Sequence, residues 1–415
     1  MGTRQLAVVK TVTRPRRIFG ATLVIWAMWG GAAAFAAPAT PADALAAKYC
    51  PVKNPAARGK CQEAQKLLVA GQYRSALVSI KAAAALSPKE GVLNVTTARI
   101  MYSLGSSGPA ERELRQARLN GAPDALVLPI LFNVMLDLHK EVNLLNEFPE
   151  PAKNAQGEIA SVILLGRAQA LQSLDKLPDA AAAADRAISL KRSSSGLLTR
   201  ARIALAQNDT AMADKLVDEA FTLDPINGGV MRARLKRLQR SGDMGKTLAY
   251  ADQILKVYPK TIPEARIARI EIFLKQNDTI RAKQEADAFF ATSKMFGTYY
   301  RAVLLSRAKD KKNAANAVLS LPKEFVKAHP EYAPQMAQIV IDNGNIEPGV
   351  TILGYAIAAN PNFIDARLRL AGLRMGQGSP QAALGALAPV ESSGDPRVQK
   401  LLAEVRAKIA KDRAF

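Results

Sequence analysis

Apolar residues recur three and four apart along much of the chain. In Met231–Arg240, "MRARLKRLQR", Met231, Leu235 and Leu238 fall at i, i+4 and i+7, the spacing that turns one helix face to a core, while cations fill the positions between. Much of the apolar content is alanine and leucine, aromatics are few, and β-branched runs are short, a composition that favours helix over sheet. The helical runs are brief. Gly71–Pro88, "GQYRSALVSIKAAAALSP", opens on a turn residue, carries small and large apolar residues at helical spacing, and stops at a proline.

That punctuation keeps a ruler. Pro225 and Pro259 are 34 residues apart, Pro259 and Pro361 are 102 apart, and Pro88 and Pro225 are 137 apart. Glycines agree: Gly71 to Gly105 is 34, Gly242 to Gly344 is 102, and Gly344 to Gly378 is 34. A 34-residue period is that of two helices of about 13 residues joined by tight turns. Glycine or Asn-Asp permits the bend between the helices, and proline ends the second helix. Small residues recur where helices must cross closely: Ala64, Ala76 and Ala83 in one unit, Ala98, Ala110 and Ala117 in the next. The pattern predicts about ten units. Those near 125–150 and 297–322 are degenerate and lack a glycine turn, and a final helix near Pro396–Ala410 caps the array.

In this arrangement the chain resembles the tetratricopeptide (TPR) family. A small residue mid-first-helix, glycine at the turn, an aromatic two later, then Ala, Ala and Pro are met in "AGQYRSALVSIKAAAALSP". Arg200–Pro225 and Ile267–Phe290 share Ala-Arg-Ile and Gln-Asn-Asp-Thr words, and Met336–Pro361 and Ala371–Pro389 complete the clear units. The resemblance implies an all-α fold, a TPR superhelical solenoid of about ten helix-turn-helix units, over residues 61–393. It also implies a concave groove lined by first helices, and recognition rather than catalysis. Residues 67–190, including the third unit closing on Leu145–Pro149, resemble more narrowly the PEP-CTERM-system TPR proteins found with exosortase and exopolysaccharide-export loci.

The N-terminus sets the compartment we expect. Arg4, Lys10, Arg14, Arg16 and Arg17 precede an uncharged run from Ile18 to Ala37 that ends in an A-x-A site at Ala34–Ala36. These are the parts of a secretory signal over residues 1–36, with export to the periplasm. The same run is long enough to serve instead as an uncleaved anchor. Position 37 is alanine, so lipidation at cysteine is not expected. In an oxidising compartment Cys50 and Cys61, the two cysteines of the chain, are candidates for a disulfide within the N-terminal segment 37–60 and the start of the array, two unrelated thiols being the alternative.

Charge then narrows the partners. The chain carries a net +21, and +16 without the five cations of the signal. An exported protein seldom meets nucleic acid, so the basic surface points to acidic protein segments or acidic polysaccharide, with envelope or secretion-machinery proteins as the implied class of partner. A membrane enters only by association or through an uncleaved anchor. Chemistry for catalysis is thin. "GDMGKT" at 242 lacks the first glycine of a phosphate loop, with Arg240 in its place. His139 and His329 lie far apart, no metal-ligand spacing occurs, and no nucleophile elbow is found. We expect no enzyme, cofactor or metal. Arg232, Lys236 and Arg240 form a cationic stripe beside the apolar one, and the same phase brings Arg99, Tyr102, Arg202, Lys275 and Arg307 to the predicted groove, with Glu271 and Asp342 among them. A solvated basic face is the plainer reading of such a stripe.

Overall fold

A computed structural model describes residues 41–413; the signal-like segment, residues 1–36, lies outside them. Among the described residues the chain is all helix, without strands. Ten antiparallel helical hairpins follow one another: Pro55–Val69 with Tyr73–Leu86, Gly91–Ser103 with Ser107–Leu119, Asp124–Asp137 with Glu141–Glu147, Glu158–Ser173 with Leu177–Leu190, and Ser194–Ala206 with Thr210–Leu223. Then come Gly228–Arg240 with Met244–Val257, Pro263–Lys275 with Thr279–Thr292, Lys294–Arg307 with Lys311–Leu319, Ala333–Asp342 with Ile346–Ala359, and Ile364–Gly376 with Pro380–Leu387. Three further helices, Pro41–Tyr49, Lys323–Ala328 and Pro396–Arg413, stand outside the pairs.

Each hairpin turns on one residue of positive φ. These are Gly71, Gly105, His139, Asp175, Asn208, Gly242, Asn277, Lys309, Gly344 and Gly378, between 32 and 36 residues apart. Left-handed backbone is cheap for glycine and tolerable for Asn and Asp, which explains the Asn-Asp words. The Asp in those words does a second job. Asp209 and Asp278 accept hydrogen bonds from the amides of Met212 and Arg281, capping the second helix; Asp243 and Asp310 do the same after Gly242 and Lys309. The three units that lack both glycine and Asn-Asp turn on His139, Asp175 and Lys309 instead. "GDMGKT" is one of these turns followed by its cap.

The core runs as a chain of clusters between neighbouring helices, and its closest crossings are made by alanine. Ala64, Ala76, Ala83, Ala98, Ala110 and Ala117 are all fully buried. Three hairpins are irregular: the second helix of the third is only 7 residues long, that of the eighth 9 and that of the tenth 8. One connection is unusually short, with Ser293 alone separating the seventh hairpin from the eighth.

Two features bear on the concave side. The N-terminal helix Pro41–Tyr49 packs on the first helices of hairpins one and two, and a Cys50–Cys61 disulfide fastens it to the array. The first hairpin's leading helix therefore starts at Pro55, inside the segment read from the sequence as preceding the repeats. The array also returns on itself. A Cβ placed on Gly71 would lie 3.3 Å from the Cβ of Lys260 and 3.5 Å from Cγ2 of Thr261, so the first turn rests against the connection after the sixth hairpin. The open groove expected from the sequence is, over its first winding, a channel.

Candidate functional site

Counting back from each turn residue gives every hairpin a common register. Six residues before the turn stand Gln65, Arg99, Asn133, Gln169, Arg202, Lys236 and Glu271. Seven consecutive hairpins thus place an amide or a charge at one point of the first helix, and the eighth breaks the series with Val303. Residues at one repeat register share a face of the solenoid, so these side chains form a ladder. Its rungs are linked. Arg99 Nη1 donates to Gln65 Oε1 at 3.0 Å, and Gln65 Nε2 to Thr96 Oγ1 at 3.2 Å. Thr199 joins the fourth and fifth rungs, its Oγ1 accepting from Arg202 Nη2 at 3.2 Å and from Gln169 Nε2 at 3.5 Å.

Two cavities open along the ladder and share Tyr102 and Asn133. One, of about 250 Å³, is bounded by Tyr102, Asn133, Asp137, Gln169, Gln172 and Arg202. The other, of about 300 Å³, lies between Leu45, Arg99, Tyr102 and Asn133 on one side and Arg232, Tyr258 and Thr261 on the other. That second grouping joins residues more than a hundred positions apart, and only the return of the array brings them together.

The structure sorts the groove candidates into two sets. Arg99, Tyr102, Arg202 and Arg232 line the cavities, and Lys236 is the next rung, exposed, with its charge felt by Glu331. Arg232 donates to the carbonyl of Thr261 at 2.7 Å and pairs with Glu264 at 3.4 Å. Arg240, Lys275 and Arg307 instead all fall two residues before a turn, at the rim. Four residues of helix advance about 400°, so a stripe at i, i+4 and i+8 drifts about 40° per step and leaves the channel by its third member. Arg240 accordingly pairs with Asp214 on the preceding hairpin, and Arg307 donates to the carbonyl of Leu274 at 2.8 Å. Asp342 shares that rim register, whereas Glu271 is a rung.

Burial within the channel shows in the titrating groups. Desolvation lowers the pKa of the Arg99 guanidinium, which lies 4.0 Å from the ring centroid of Tyr49, and that of Arg202, an exposed residue. Desolvation also raises the Tyr102 phenol, with the Asp137 carboxylate adding to it. The Glu271 carboxyl is raised by desolvation against the opposing pull of Lys275 and of Tyr300, whose Oη donates to it at 3.4 Å. No group of His, Cys, Asp and Glu able to hold a metal occurs among the described residues. No described helix is long and apolar enough to cross a membrane.

Ten hairpins, one turn register and alanine at the crossings define the architecture. It is a tetratricopeptide-type solenoid. No protein-family model and no curated protein matches the sequence. Solved structures do match in chain path. Yeast Tom70 is 14% identical, with 90% of this chain and 93% of that one covered and a TM-score of 0.45. A thermophilic TPR protein of Thermus thermophilus is 15% identical, covering 44% and 98%, at a TM-score of 0.37. Pseudomonas aeruginosa pilF is 16% identical, covering 50% and 94%, at a TM-score of 0.33.

Sequence reasoning missed the amide rungs Gln65, Asn133 and Gln169. Their signal was present, since each lies six before a turn residue, but two of the three turns carry no glycine to count from: His139 and Asp175 hold those places.

Proposed function

We propose that this protein is a non-catalytic scaffold that holds an extended, acidic segment of a partner protein along the ladder. The single observation carrying this is the unbroken series of rungs from Asn133 to Glu271, beyond the buried Gln65 and the Tyr49-covered Arg99. Amides at regular spacing suit an extended backbone, whose N–H and C=O groups recur at regular intervals and need both donors and acceptors. Arg202 and Lys236, exposed among those rungs, favour acidic side chains on the ligand. The rungs offer no nucleophile, no paired carboxylates and no histidine. The setting we propose is the periplasm, with export directed by the N-terminal segment, and the pathway is envelope assembly linked to exopolysaccharide export or exosortase sorting. The signal-like residues 1–36 and the PEP-CTERM-type words of residues 67–190 support that setting.

A second reading, a general adaptor or chaperone for many acidic peptides, draws on the same amides, because side chains that read backbone discriminate little between sequences. Fluorescence polarisation with a labelled, extended glutamate-rich peptide tests the site, and alginate oligosaccharide is the competitor. Saturable peptide binding that Arg202→Glu weakens about tenfold is the expected result. Peptide binding indifferent to Arg202→Glu, or displaced by alginate at the same charge concentration as by free peptide, would end the protein-ligand reading.

A further inference from the structure

The connection of one residue, Ser293, between hairpins seven and eight has a geometric consequence. The helices Thr279–Thr292 and Lys294–Arg307 are pressed together beside it, where a Cβ on Gly297 would sit 2.3 Å from the Cα of Phe290. At their far ends a cleft of about 700 Å³ separates them, walled by Ile280, Leu304, Leu305 and Ala308. Leu304 and Leu305 lie five and four residues before the turn at Lys309. Counterparts of Leu304 such as Ile100, Val134, Ile203, Ile272 and Ile339 are buried, whereas Leu304 is only half-buried, as is Leu305 beside it. Ile280 is 73% exposed, beside an apolar wall that its own array does not cover.

The polar groups of the cleft are of one prevailing sign. Lys283, Arg301 and Arg307 face a lone acid, Asp287, which Lys283 and Arg301 hold at 3.1 and 2.8 Å. Arg307 makes no ion pair among the described residues, and it stands at the mouth next to the turn bearing exposed Lys309, Lys311 and Lys312 around the capping Asp310. Apolar walls with convergent cations at the opening, in a volume suited to a small molecule, are complementary to a chain with an anionic head. We propose that this cleft binds a single-chain anionic amphiphile, a long-chain carboxylate, with its alkyl tail against Ile280, Leu304 and Leu305 and its head at Arg307 and the lysine turn. The site is separate from the ladder and does not depend on the function proposed for it.

The test is a fluorescence titration of the full chain with dansylated undecanoate and with the neutral methyl ester of the same probe. We expect saturable uptake of the acid, and about tenfold weaker binding both for the ester and for Arg307→Glu. Ile280→Asp, at a side chain too exposed to support the fold, is expected to weaken uptake about tenfold with an unchanged melting temperature, while Arg202→Glu leaves uptake intact. No saturable uptake, uptake unaltered by Ile280→Asp, or ester and acid binding alike would overturn the proposal. Binding to phosphatidylglycerol vesicles, or to an acidic amphipathic peptide, without uptake of the free probe would also overturn it, in favour of a bilayer or a protein occupant.

Discussion

Arg99 lies over the ring of Tyr49, its guanidinium carbon 4.0 Å from the ring centroid, while its Nη1 is spent on Gln65. The second rung of the ladder is therefore covered by the chain's own N-terminal helix. That helix is tied down next door, because Cys50 follows Tyr49 and is bonded to Cys61 across 11 residues. Closing so short a loop is worth about 3 kcal/mol in the chain-entropy picture. We expect Cys50→Ser with Cys61→Ser to lower unfolding free energy by about that much. In the folded variant Arg99 should also become accessible to phenylglyoxal, read by peptide mass mapping with and without the disulfide. An unchanged modification rate would show that Tyr49 holds its place without the bond.

His139 and Lys309 occupy the turn position that glycine fills elsewhere, at φ of 53° and 64°. Left-handed backbone costs a residue with a Cβ about 1 kcal/mol. His139→Gly and Lys309→Gly should each raise stability by about 0.5 kcal/mol, the relief of strain being partly offset by the looser unfolded chain. Urea denaturation of the two variants decides this, and a loss of stability in both would mean that the side chains make contacts outweighing the strain.

The repeat was legible because it is written in local chemistry. Turn residues, helix caps and alanines at crossings act within a few residues of where they stand, so the 34-residue ruler could be read from Gly71, Gly105, Gly242, Gly344 and Gly378. What escaped notice was non-local or drifted. Nothing in the sequence around Gly71 announces Lys260 as its neighbour, and nothing near Arg232 announces Tyr73 or Tyr102, because the winding of the array follows from small rotations summed over six hairpins. Helical phase assigns Arg240, Lys275 and Arg307 to the groove, but a step of four drifts around a helix, and counting from the turn puts all three at the rim. The N-terminal helix offered too short a run for its docking to be read, although its cysteine pointed to the tie.

Gly71 and Gly105 provide a matched comparison for the winding. Both hold positive φ, at 72° and 75°, so a side chain strains each backbone alike. Only Gly71 has a neighbour, Lys260 Cβ at 3.3 Å; around Gly105 the space is open. Gly105→Ala should cost about 1 kcal/mol from backbone strain alone. Gly71→Ala should cost measurably more, and small-angle scattering should report a larger radius of gyration for it if the first turn is pushed off the sixth connection. Equal costs and equal radii would remove the contact that closes the channel.

Glu271, the rung on the seventh hairpin, lets desolvation at the ladder be tested by pH. Desolvation raises its pKa above the ordinary 4.5, and the nearby Lys275 and the Tyr300 hydroxyl only partly oppose that. A carboxyl whose pKa is higher in the folded state favours folding when protonated. That contribution is complete below the unfolded value and is lost as pH rises through the folded one. At neutral pH the wild-type chain therefore carries a partly desolvated carboxylate at a net cost. Glu271→Gln keeps an oxygen to accept from Tyr300 and removes the charge. The variant should be more stable than wild type by up to about 1 kcal/mol at about pH 7.5. The gain should shrink toward zero as pH falls below 4.5, where the wild-type side chain is itself neutral. Paired urea titrations across that range measure it. A gain that persists undiminished in acid would place its origin in packing, and a loss at neutral pH would mean that the attraction of Lys275 outweighs desolvation at this rung.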